Sequence, residues 1–515
     1  MKKVIVIGAG FGGLTTAAEL ARAGLDVTLL EAHVYPGGCA GTFYHQGYKF
    51  DAGATLAGGF SPGAPMQLLG EHFGVDWEEK AVETAMLVHL PDGKKITRWA
   101  EQQRWVDERV SVFGEEAERF WKWQENSADL LWDLALRKPN WPPQSLREGF
   151  LLTNMGLSWL ADQLKSSKVS QIAGLLPYAF RPAASLLKNG SDDLRLYVDG
   201  QLLIASQTTS KRANALFGAA ALDLPRRGVA QVPGGMGGMA NKMVEAIHHF
   251  GGKVIMRQEV VNITRNEDST FRIRTKRKQE FDAHAVIFNL TPSNIAGIMD
   301  TDKGGYQHYY EKIPGDGWGA FVLYAGMRNE IIPEDYPEHH QVIVSEPLGQ
   351  GNSIFMSISP IWDKTRAPDG QRAVTISTHT KLEKWWHLFN EDPPGYEEQI
   401  EKFTEKTLDA AERALPGISS SLDLMLPGTP VTFQRFTRRK LGWVGGYPQT
   451  NLFRTRGAHI DKGLWMVGDS IFPGQSVPAV TLGGLRVAES VLDEFSRKRR
   501  KFWCALKDQI MQPQF

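Results

Sequence analysis

The chain of 515 residues carries 58 basic and 58 acidic side chains, so its formal net charge at pH 7 is zero. This balance gives no reason to expect nucleic acid or another polyanion as a partner. Apolar residues make up 42% of the chain, which excludes a disordered polypeptide, and the length favours two or more structural units. The two cysteines, Cys39 and Cys504, are too few for a disulfide framework, so we expect a cytoplasmic protein with incidental thiols.

The start of the chain predicts a strand, a glycine turn, a helix and a second strand. Residues 4–7 form a short β-branched run, residues 14–23 are rich in Ala and Leu, and residues 27–30 are again apolar. This order is typical of a parallel βαβ unit. The predicted fold class is therefore α/β, with a Rossmann-like sheet that binds a dinucleotide.

The turn between the first strand and the helix has the sequence GAGFGG over residues 8–13, which includes Gly12. Gly8 permits the tight turn, Gly10 lets the backbone approach a pyrophosphate, and Gly13 allows the helix to pack closely on the strand. The helix N-terminus offers unpaired N–H groups to the anion. Glu31 ends the second strand, where it is placed to accept hydrogen bonds from an adenosine ribose. The motif in this context predicts a bound dinucleotide.

Two further segments favour FAD over NAD. PGGCAGT at residues 36–42 adds a second glycine loop close behind Glu31, and FDAGAT follows at residues 50–55. An extended FAD needs such further approaches of the backbone, whereas ribose and pyrophosphate contacts are the same in both cofactors. A hydrophobic turn without a cofactor role is the alternative for this loop.

Later segments predict the rest of the dinucleotide-binding fold. The expected elements are a helix at 240–250, strands at 254–263, 285–290 and 464–467, and a helix at 483–495. Asp469 follows the last strand and could hold a ribityl hydroxyl, and the helix start after Pro478 would direct its positive end at the flavin. GMGGMA at 235–240 resembles a second fingerprint, but Pro233 precedes it and no buried strand is expected to lead in. We therefore predict no second nucleotide site.

The composition changes between these cofactor segments. Residues 96–225 are helical in character and rich in Trp, and residues 293–430 alternate strand-like runs with helical stretches. We expect a discontinuous, amine-oxidase-like FAD-binding domain with an α+β substrate domain and a helical cap. The predicted boundaries are 1–95, 226–292 and 431–495 for the FAD-binding domain, 96–225 for the cap, 293–430 for the substrate domain and 496–515 for a basic and aromatic tail.

No residue pattern marks a catalytic side chain or a metal site. The pairs His248-His249 and His339-His340 lack metal-ligand spacing with acids or cysteines. The catalytic residues are therefore left unknown, no metal is expected, and the redox chemistry is assigned to the cofactor.

The segments quoted above, together with VPGGMGGMANKM (232–243) and VGDSIFPGQSVPAVTLGGLRVA (467–488), resemble the phytoene desaturase and carotenoid isomerase group of flavoproteins. YPGGCAGTF followed by FDAGATLAGG is most similar to the cyanobacterial carotenoid 3',4'-desaturases. The resemblance covers the cofactor segments well and the substrate region loosely. It implies FAD contacts at Gly8, Gly10, Gly12, Gly13, Glu31, Gly38, Val260, Asp469 and Val477, with Val260 using its backbone toward the adenine.

One position departs from the pattern of this group. Many relatives have an arginine after the paired glycines, where this chain has Cys39. The charged contact near the pyrophosphate is therefore expected to be absent or replaced. The departure favours the isomerase-like branch over phytoene desaturases and amine oxidases.

The resemblance implies an FAD-dependent oxidoreductase that acts on an apolar polyene, a carotenoid. Desaturation by hydride transfer to the flavin, with quinone or oxygen as electron acceptor, is the leading hypothesis. Cis–trans isomerisation by reduced FAD, amine oxidation and a non-enzymatic flavin-containing scaffold are the alternatives. No apolar stretch is long enough to span a bilayer. The basic run at 497–501, next to Phe502 and Trp503, suits either a solvated tail or peripheral contact with a membrane.

Overall fold

The computed structural model describes residues 1–165, 169–300 and 315–510, with side chains described up to residue 165 and for 171–300 and 315–496. The helices in this part of the chain are α1 Phe11–Arg22, α2 Pro65–Phe73, α3 Gln102–Phe113, α4 Glu118–Leu136, α5 Leu146–Lys165, α6 Val169–Leu175, α7 Asp192–Ser206, α8 Ala215–Leu222, α9 Met236–His249, α10 Pro292–Ile298, α11 Leu382–Glu391, α12 Pro393–Ala414, α13 Ile418–Ser421, α14 Pro430–Thr437 and α15 Val477–Ile510.

The strands are β1 Lys3–Ile7, β2 Asp26–Leu30, β3 Thr42–His45, β4 Tyr48–Asp51, β5 Ala57–Gly58, β6 Lys80–Ala81, β7 Thr84–His89, β8 Lys95–Trp99, β9 Val229–Gln231, β10 Lys253–Ile255, β11 Val260–Arg265, β12 Phe271–Thr275, β13 Glu280–Ala283, β14 Ala285–Phe288, β15 Gly319–Arg328, β16 His339–Ile343, β17 Ser353–Ile358, β18 Gln371–Thr380, β19 Leu422–Gly428, β20 His459–Asp461 and β21 Leu464–Met466.

A six-stranded sheet in the order β10-β2-β1-β14-β21-β20 joins the two ends and the middle of the chain. Its neighbours are parallel except for the antiparallel pair β20 and β21. In the register, Ile7 lies opposite both Leu30 and Phe288. Since the carboxyl ends of parallel strands meet at one edge, the next residues come together there: Gly8, Glu31, Asn289 and Val467. The predicted α/β class and Rossmann-like sheet are confirmed.

Helix α1 is held between the sheet, α9 and α15. Helix α15 approaches α1 closely because residue 484 is glycine: a Cβ atom there would lie 2.8 Å from the carbonyl oxygen of Gly12. The hydroxyl of Thr16 donates a hydrogen bond to the carbonyl of Gly484 at 3.0 Å. These contacts fix the C-terminal segment beside the glycine turn of the N-terminal segment.

A second sheet of seven strands has the order β19-β15-β18-β17-β16-β7-β8. All of its neighbours are antiparallel except β16 and β7. Helix α12 packs on this sheet, with buried residues such as Phe403, Ala410 and Ala411 in the shared core. Strands β7 and β8 pair into this sheet, although the predicted boundaries placed β7 in the cofactor domain and all of β8 except Lys95 in the cap. The domain boundaries as a whole stay a prediction.

Residues 102–222 form a helical layer, α3 to α8, as the sequence indicated. Several of its large aromatic side chains pack against one another and are buried. Trp105 is buried, and its ring centroid lies 5.3 Å from that of Trp121 and 5.8 Å from that of Tyr197. These aromatic residues therefore build a core within the segment.

Two sequence predictions differ from the observed elements. The strand expected at 254–263 is divided between β10 in the parallel sheet and β11 in a separate antiparallel sheet, with Arg257 between them at φ 59°. The helix expected at 483–495 is longer, because α15 begins at Val477 and continues to Ile510. The side chains of the basic run at 497–501 lie outside the described residues. Within the described residues, no helix has the length and apolar character needed to cross a membrane.

Three buried histidines predict a pH-dependent stability. Burial lowers the pKa of His89 and His339 to about 4 and that of His340 to about 3. In the unfolded chain a histidine takes up its proton near pH 6.5. Stability is thus fully present above pH 6.5 and is lost as the pH falls toward 4. Each histidine contributes up to about 1.4 kcal/mol per pH unit in this window.

We expect the melting temperature, measured by circular dichroism, to fall between pH 6.5 and 4.5, and to fall less steeply in His340→Gln. His387→Gln is the control, because this side chain is exposed on α11 and should leave the slope unchanged. Equal slopes in the wild-type protein and His340→Gln would contradict the explanation.

Candidate active site

A cavity of about 1160 Å³ runs from Glu31, past the glycine turn, to the seven-stranded sheet. Its polar end is built by the residues that follow β1, β2, β14 and β21. Its other end is lined largely by apolar side chains from the second sheet, including Val322, Ile354 and Phe355. The edge of the dinucleotide-type sheet and the apolar chamber are therefore one continuous space.

The glycines of the first turn are required by close backbone contacts. Gly8 has φ +98°, a conformation that favours glycine. A Cβ atom at Gly13 would lie 2.3 Å from the carbonyl oxygen of Gly8, and one at Gly10 would lie 2.7 Å from Nδ2 of Asn289. Gly10 is also the residue that precedes α1. The first turn of the helix thus lies directly against the sheet and faces the cavity.

Asn289 is part of this cradle, although the sequence analysis did not single it out. Its Oδ1 accepts a hydrogen bond from the backbone N–H of Gly13 at 2.6 Å. Asn289 is the first residue after β14, whose last residue, Phe288, is paired with Ile7 of β1. Its only signal in the sequence was its position at the end of the predicted strand 285–290.

Glu31 is held firmly at the far end of the cavity. Its carboxylate accepts hydrogen bonds from the backbone N–H groups of Ala9 at 2.6 Å and His33 at 2.7 Å. Burial raises the pKa of Glu31, and these two donors oppose that shift. The carbonyl of Glu31 accepts a bond from Gln258 N–H at 2.7 Å, which brings the buried residue Val260 into the same wall.

The second glycine loop lies on the first. The N–H of Gly37 donates to the carbonyl of Ala9 at 2.7 Å, and a Cβ atom at Gly38 would come within 3.5 Å of the Cα of Gly10. Asp469 and Val477 reach the same cavity from the C-terminal segment. Eight of the nine residues predicted as cofactor contacts therefore line one cavity. The ninth, Gly13, does not line it but allows α1 to pack closely on the sheet.

Arg439 is a second residue that the sequence analysis missed. Its Nη1 donates to Oδ2 of Asp469 at 2.8 Å and its Nε donates to the carbonyl of Trp443 at 2.7 Å. Its positive charge also acts on the nearby thiol of Cys39. Burial raises the pKa of Cys39, against the opposing effect of this neighbouring cation. Cys39, which the sequence analysis took for an incidental thiol, lies in the cavity wall.

The start of α9, which carries the second glycine cluster, is closed by side chains. Oδ1 of Asp51 accepts a hydrogen bond from Met236 N–H at 3.0 Å, and Oγ1 of Thr42 accepts one from Gly237 N–H at 2.7 Å. The expectation that no buried strand leads in was wrong, because β9 is buried. That strand belongs to a small antiparallel sheet and not to the parallel sheet, so the context of a nucleotide fingerprint is still missing.

A chain of hydrogen bonds runs from the cavity wall into the interior. Oγ1 of Thr55 lies 2.7 Å from Oγ of Ser357, which lies 2.9 Å from Nδ1 of His339, whose Nε2 lies 3.0 Å from Gln231. The lowered pKa of His339 keeps its ring neutral near pH 7, with one nitrogen as donor and the other as acceptor. If the amide of Gln231 donates to Nε2, then Nδ1 donates to Ser357 and Ser357 donates to Thr55, which leaves the hydroxyl of Thr55 to donate into the cavity.

The lining fits a long polar ligand such as FAD. Five residues along the cavity each carry a buried polar atom that has no hydrogen-bond partner among the described residues: His33 Nδ1, Gln207 Oε1, Gln258 Oε1, Arg439 Nη2 and Gln475 Oε1. Buried polar groups in proteins are nearly always paired. An extended nucleotide needs hydrogen-bond partners at successive points along its length, and these unpaired groups could supply them.

A parallel sheet with this glycine turn, opening into an apolar chamber, defines a dinucleotide-dependent oxidoreductase. The family model of flavin containing amine oxidoreductases matches residues 11–492. The chain belongs to this family, and it is a flavin-dependent enzyme with FAD as its cofactor.

Two curated relatives indicate which enzymes of this family the chain resembles. The chain is 28% identical to a chloroplastic prolycopene isomerase of Arabidopsis thaliana, over 96% of this chain and 83% of that protein. It is 24% identical to a neurosporene-forming phytoene desaturase of Rhodobacter capsulatus, over 96% of this chain and 94% of that protein. The resemblance to this group is confirmed, while the 3',4'-desaturase branch stays a prediction.

A solved structure shows the same fold. An oxidoreductase from Methanosarcina mazei superposes with a TM-score of 0.61 at 18% identity, covering 95% of this chain and all of the other. At this identity the likeness concerns the fold alone. It agrees with the amine-oxidase-like architecture that the sequence predicted.

The close packing at Gly13 gives a test of the cradle. Gly13→Ala places a methyl group against the carbonyl of Gly8, so we expect a loss of about 1–3 kcal/mol in the free energy of unfolding and a lower flavin content of the purified protein. Gly156→Ala in α5 is the matched control, since its Cβ position has no atom within 4 Å. The control should gain about 0.5–1 kcal/mol and keep its flavin. Equal behaviour of the two variants would contradict this account of the turn.

Proposed function

We propose that this enzyme desaturates a carotenoid, forming a C=C bond next to a polyene. The observation that carries the proposal is the continuous cavity, polar at the glycine turn and apolar at the second sheet. A long apolar substrate needs such a chamber beside the reacting end of the cofactor. The names of the curated relatives, which act on carotenoids, support the same substrate class.

The proposed FAD contacts follow from the placement of the wall residues. The adenosine end would lie at Glu31 and Val260, and the pyrophosphate at the first turn of α1. The ribityl chain and flavin would lie near Asp469 and Val477, where α15 begins. The complete proposed set is Gly8, Gly10, Gly12, Gly13, Glu31, Gly38, Val260, Asp469 and Val477.

Bound FAD would supply the acceptor for the hydride that leaves one carbon of the substrate. The neighbouring carbon would lose a proton to water, which is a sufficient base because the adjacent polyene delocalises positive charge. The chain's part is to orient the polyene. His379 lies in the wall of the apolar end, and burial lowers its pKa to about 4, so it adds no charge to the chamber at pH 7. Quinone or oxygen would reoxidise the cofactor.

The distribution of acids disfavours the amine oxidase alternative. Among the described residues that line the cavity, the carboxylates are Glu31, Glu259 and Asp469. Glu31 and Glu259 lie at the adenosine end, and Asp469 is already paired with Arg439. A protonated amine in the apolar chamber would therefore lack a counter-charge, which is costly in a buried site.

Cis–trans isomerisation of a carotenoid by reduced FAD is the second candidate. Two observations favour it: the identity of 28% to a prolycopene isomerase exceeds the 24% to a phytoene desaturase, and Cys39 follows the paired glycines. Isomerisation leaves the substrate mass unchanged, whereas desaturation removes two hydrogens.

The two activities are separated by mass spectrometry of the pigments. The purified protein is incubated with vesicles that contain a single carotenoid, under air or with added quinone. Desaturation predicts loss of two hydrogens and a red-shifted absorption, whereas unchanged mass with an altered isomer pattern supports the second candidate. Asp469→Asn, which removes a proposed FAD contact, should lower either activity by roughly 10- to 100-fold. Pigments that stay unchanged across several polyene substrates would overturn both.

Peripheral membrane contact is part of the proposal, since carotenoids reside in bilayers. Three apolar residues recur every seven positions along α5, so they lie on one stripe: Phe150, Leu157 and Leu164 are 65%, 60% and 53% exposed. Leu176 and Phe180, just after α6, are also exposed. Such a surface suits the interface of a membrane.

Vesicle flotation tests this contact. Replacing Phe150, Leu157 and Leu164 with Ser should reduce binding to vesicles that contain anionic lipid by roughly 1000-fold or more, because about 2 kcal/mol of apolar burial is lost per side chain and about 1.4 kcal/mol is a factor of ten. Leu68, Val261 and Met425 are exposed apolar residues outside α5, and their replacement by Ser is the control. Equal binding by both triple variants would exclude α5 as the contact.

A further inference from the structure

We infer that Arg439 supplies the positive charge that faces the pyrophosphate of FAD, and that its ion pair with Asp469 places it there. The inference rests on the location of FAD proposed above. It assigns a binding role to a residue outside the glycine motifs and outside the nine contacts predicted from the sequence.

The guanidinium of Arg439 lies beside the glycine loops. Cys39 directly follows Gly37 and Gly38, which lie against the first glycine turn. The guanidinium of Arg439 bonds the carboxylate of Asp469 at 2.8 Å, and it lies close enough to Cys39 for its charge to act on the thiol. Since these two residues belong to the loops on either side of the start of α1, the guanidinium is held next to the proposed pyrophosphate site.

The second step is the charge balance of the wall. The described residues that line the cavity include three carboxylates, at Glu31, Glu259 and Asp469, but only two cationic side chains, Arg438 and Arg439. Arg438 is about half exposed and contacts Glu259 at 3.4 Å, at the adenosine end. A pyrophosphate adds two negative charges to this wall. Besides the positive end of α1, Arg439 is then the cation available to offset them.

The third step is the state of the guanidinium itself. Nη1 bonds Asp469 and Nε bonds the carbonyl of Trp443, whereas Nη2 is buried and has no hydrogen-bond acceptor among the described residues. The planar guanidinium of arginine suits carboxylate and phosphate groups, which it binds through more than one N–H group. The side chain is thus fixed in place by two bonds and keeps a donor unspent.

The test separates the phosphate contact from general damage to the site. Apoprotein is prepared, and FAD binding is followed by the quenching of flavin fluorescence, with ADP and adenosine as competitors. In Arg439→Ala we expect the Kd for FAD and for ADP to rise by about 10- to 100-fold, the loss typical of one charge-assisted hydrogen bond. The Kd for adenosine should change by less than about threefold, because adenosine carries no phosphate.

The exchange variant Cys39→Arg/Arg439→Ala moves the cation from position 439 to position 39, in the second glycine loop. It keeps the net charge, and we expect it to recover at least tenfold of the lost ADP affinity. Arg435→Ala is the control for loss of a nearby arginine, since Arg435 is exposed on α14 and does not line the cavity. Its Kd values should equal those of the wild-type protein. Melting temperatures of the apoproteins verify that each variant is folded.

Three results would overturn the inference: an unchanged Kd for FAD in Arg439→Ala, an equal loss of ADP and adenosine affinity, or an exchange variant that binds ADP no better than Arg439→Ala. A wild-type apoprotein that binds no FAD at all would instead remove the proposed cofactor site. The two failures are therefore distinguishable.

Discussion

The approach of α1 to the parallel sheet is the constraint on which the rest of the structure depends. At Gly13 the backbone of the helix lies so close to the carbonyl of Gly8 that a single methyl group would not fit. This contact aims the start of the helix at the carboxyl edge of the sheet, where strands from three distant parts of the chain end side by side. Helix α15 completes the arrangement through a further close contact at Gly484, where a Cβ atom would lie 2.8 Å from the carbonyl oxygen of Gly12.

The two ends of the cavity differ in the polarity of the residues that line them. Glycine backbone, Glu31, Asp469 and Arg439 build one end, whereas strands of the seven-stranded sheet present mostly apolar side chains at the other. Charged groups are costly to bury without partners, so this division restricts the two ends to different ligands. A nucleotide fits the first end and an uncharged, extended substrate fits the second. The enzyme class follows from their meeting in one space.

Local patterns in the sequence were sufficient for elements whose residues are neighbours in the chain. The βαβ unit, the glycine turn and Glu31 were predicted because turn geometry and strand periodicity are short-range properties. The pairing of β7 and β8 with the second sheet was not predicted, because strand partners are chosen by contacts across hundreds of residues. Asn289 and Arg439 were missed for the same reason: neither belongs to a motif, and each meets its partners only after folding.

The sequence by itself determined the fold class, the cofactor and the group of enzymes that this chain resembles, since the glycine spacing encodes backbone approaches that side chains would block. Only the tertiary structure decided which residues complete the site. Cys39, Arg439 and Asp469 lie far apart in the chain, and their proximity depends on how three loops converge at one edge of the sheet. Convergence of this kind is a property of packing, which no local pattern records.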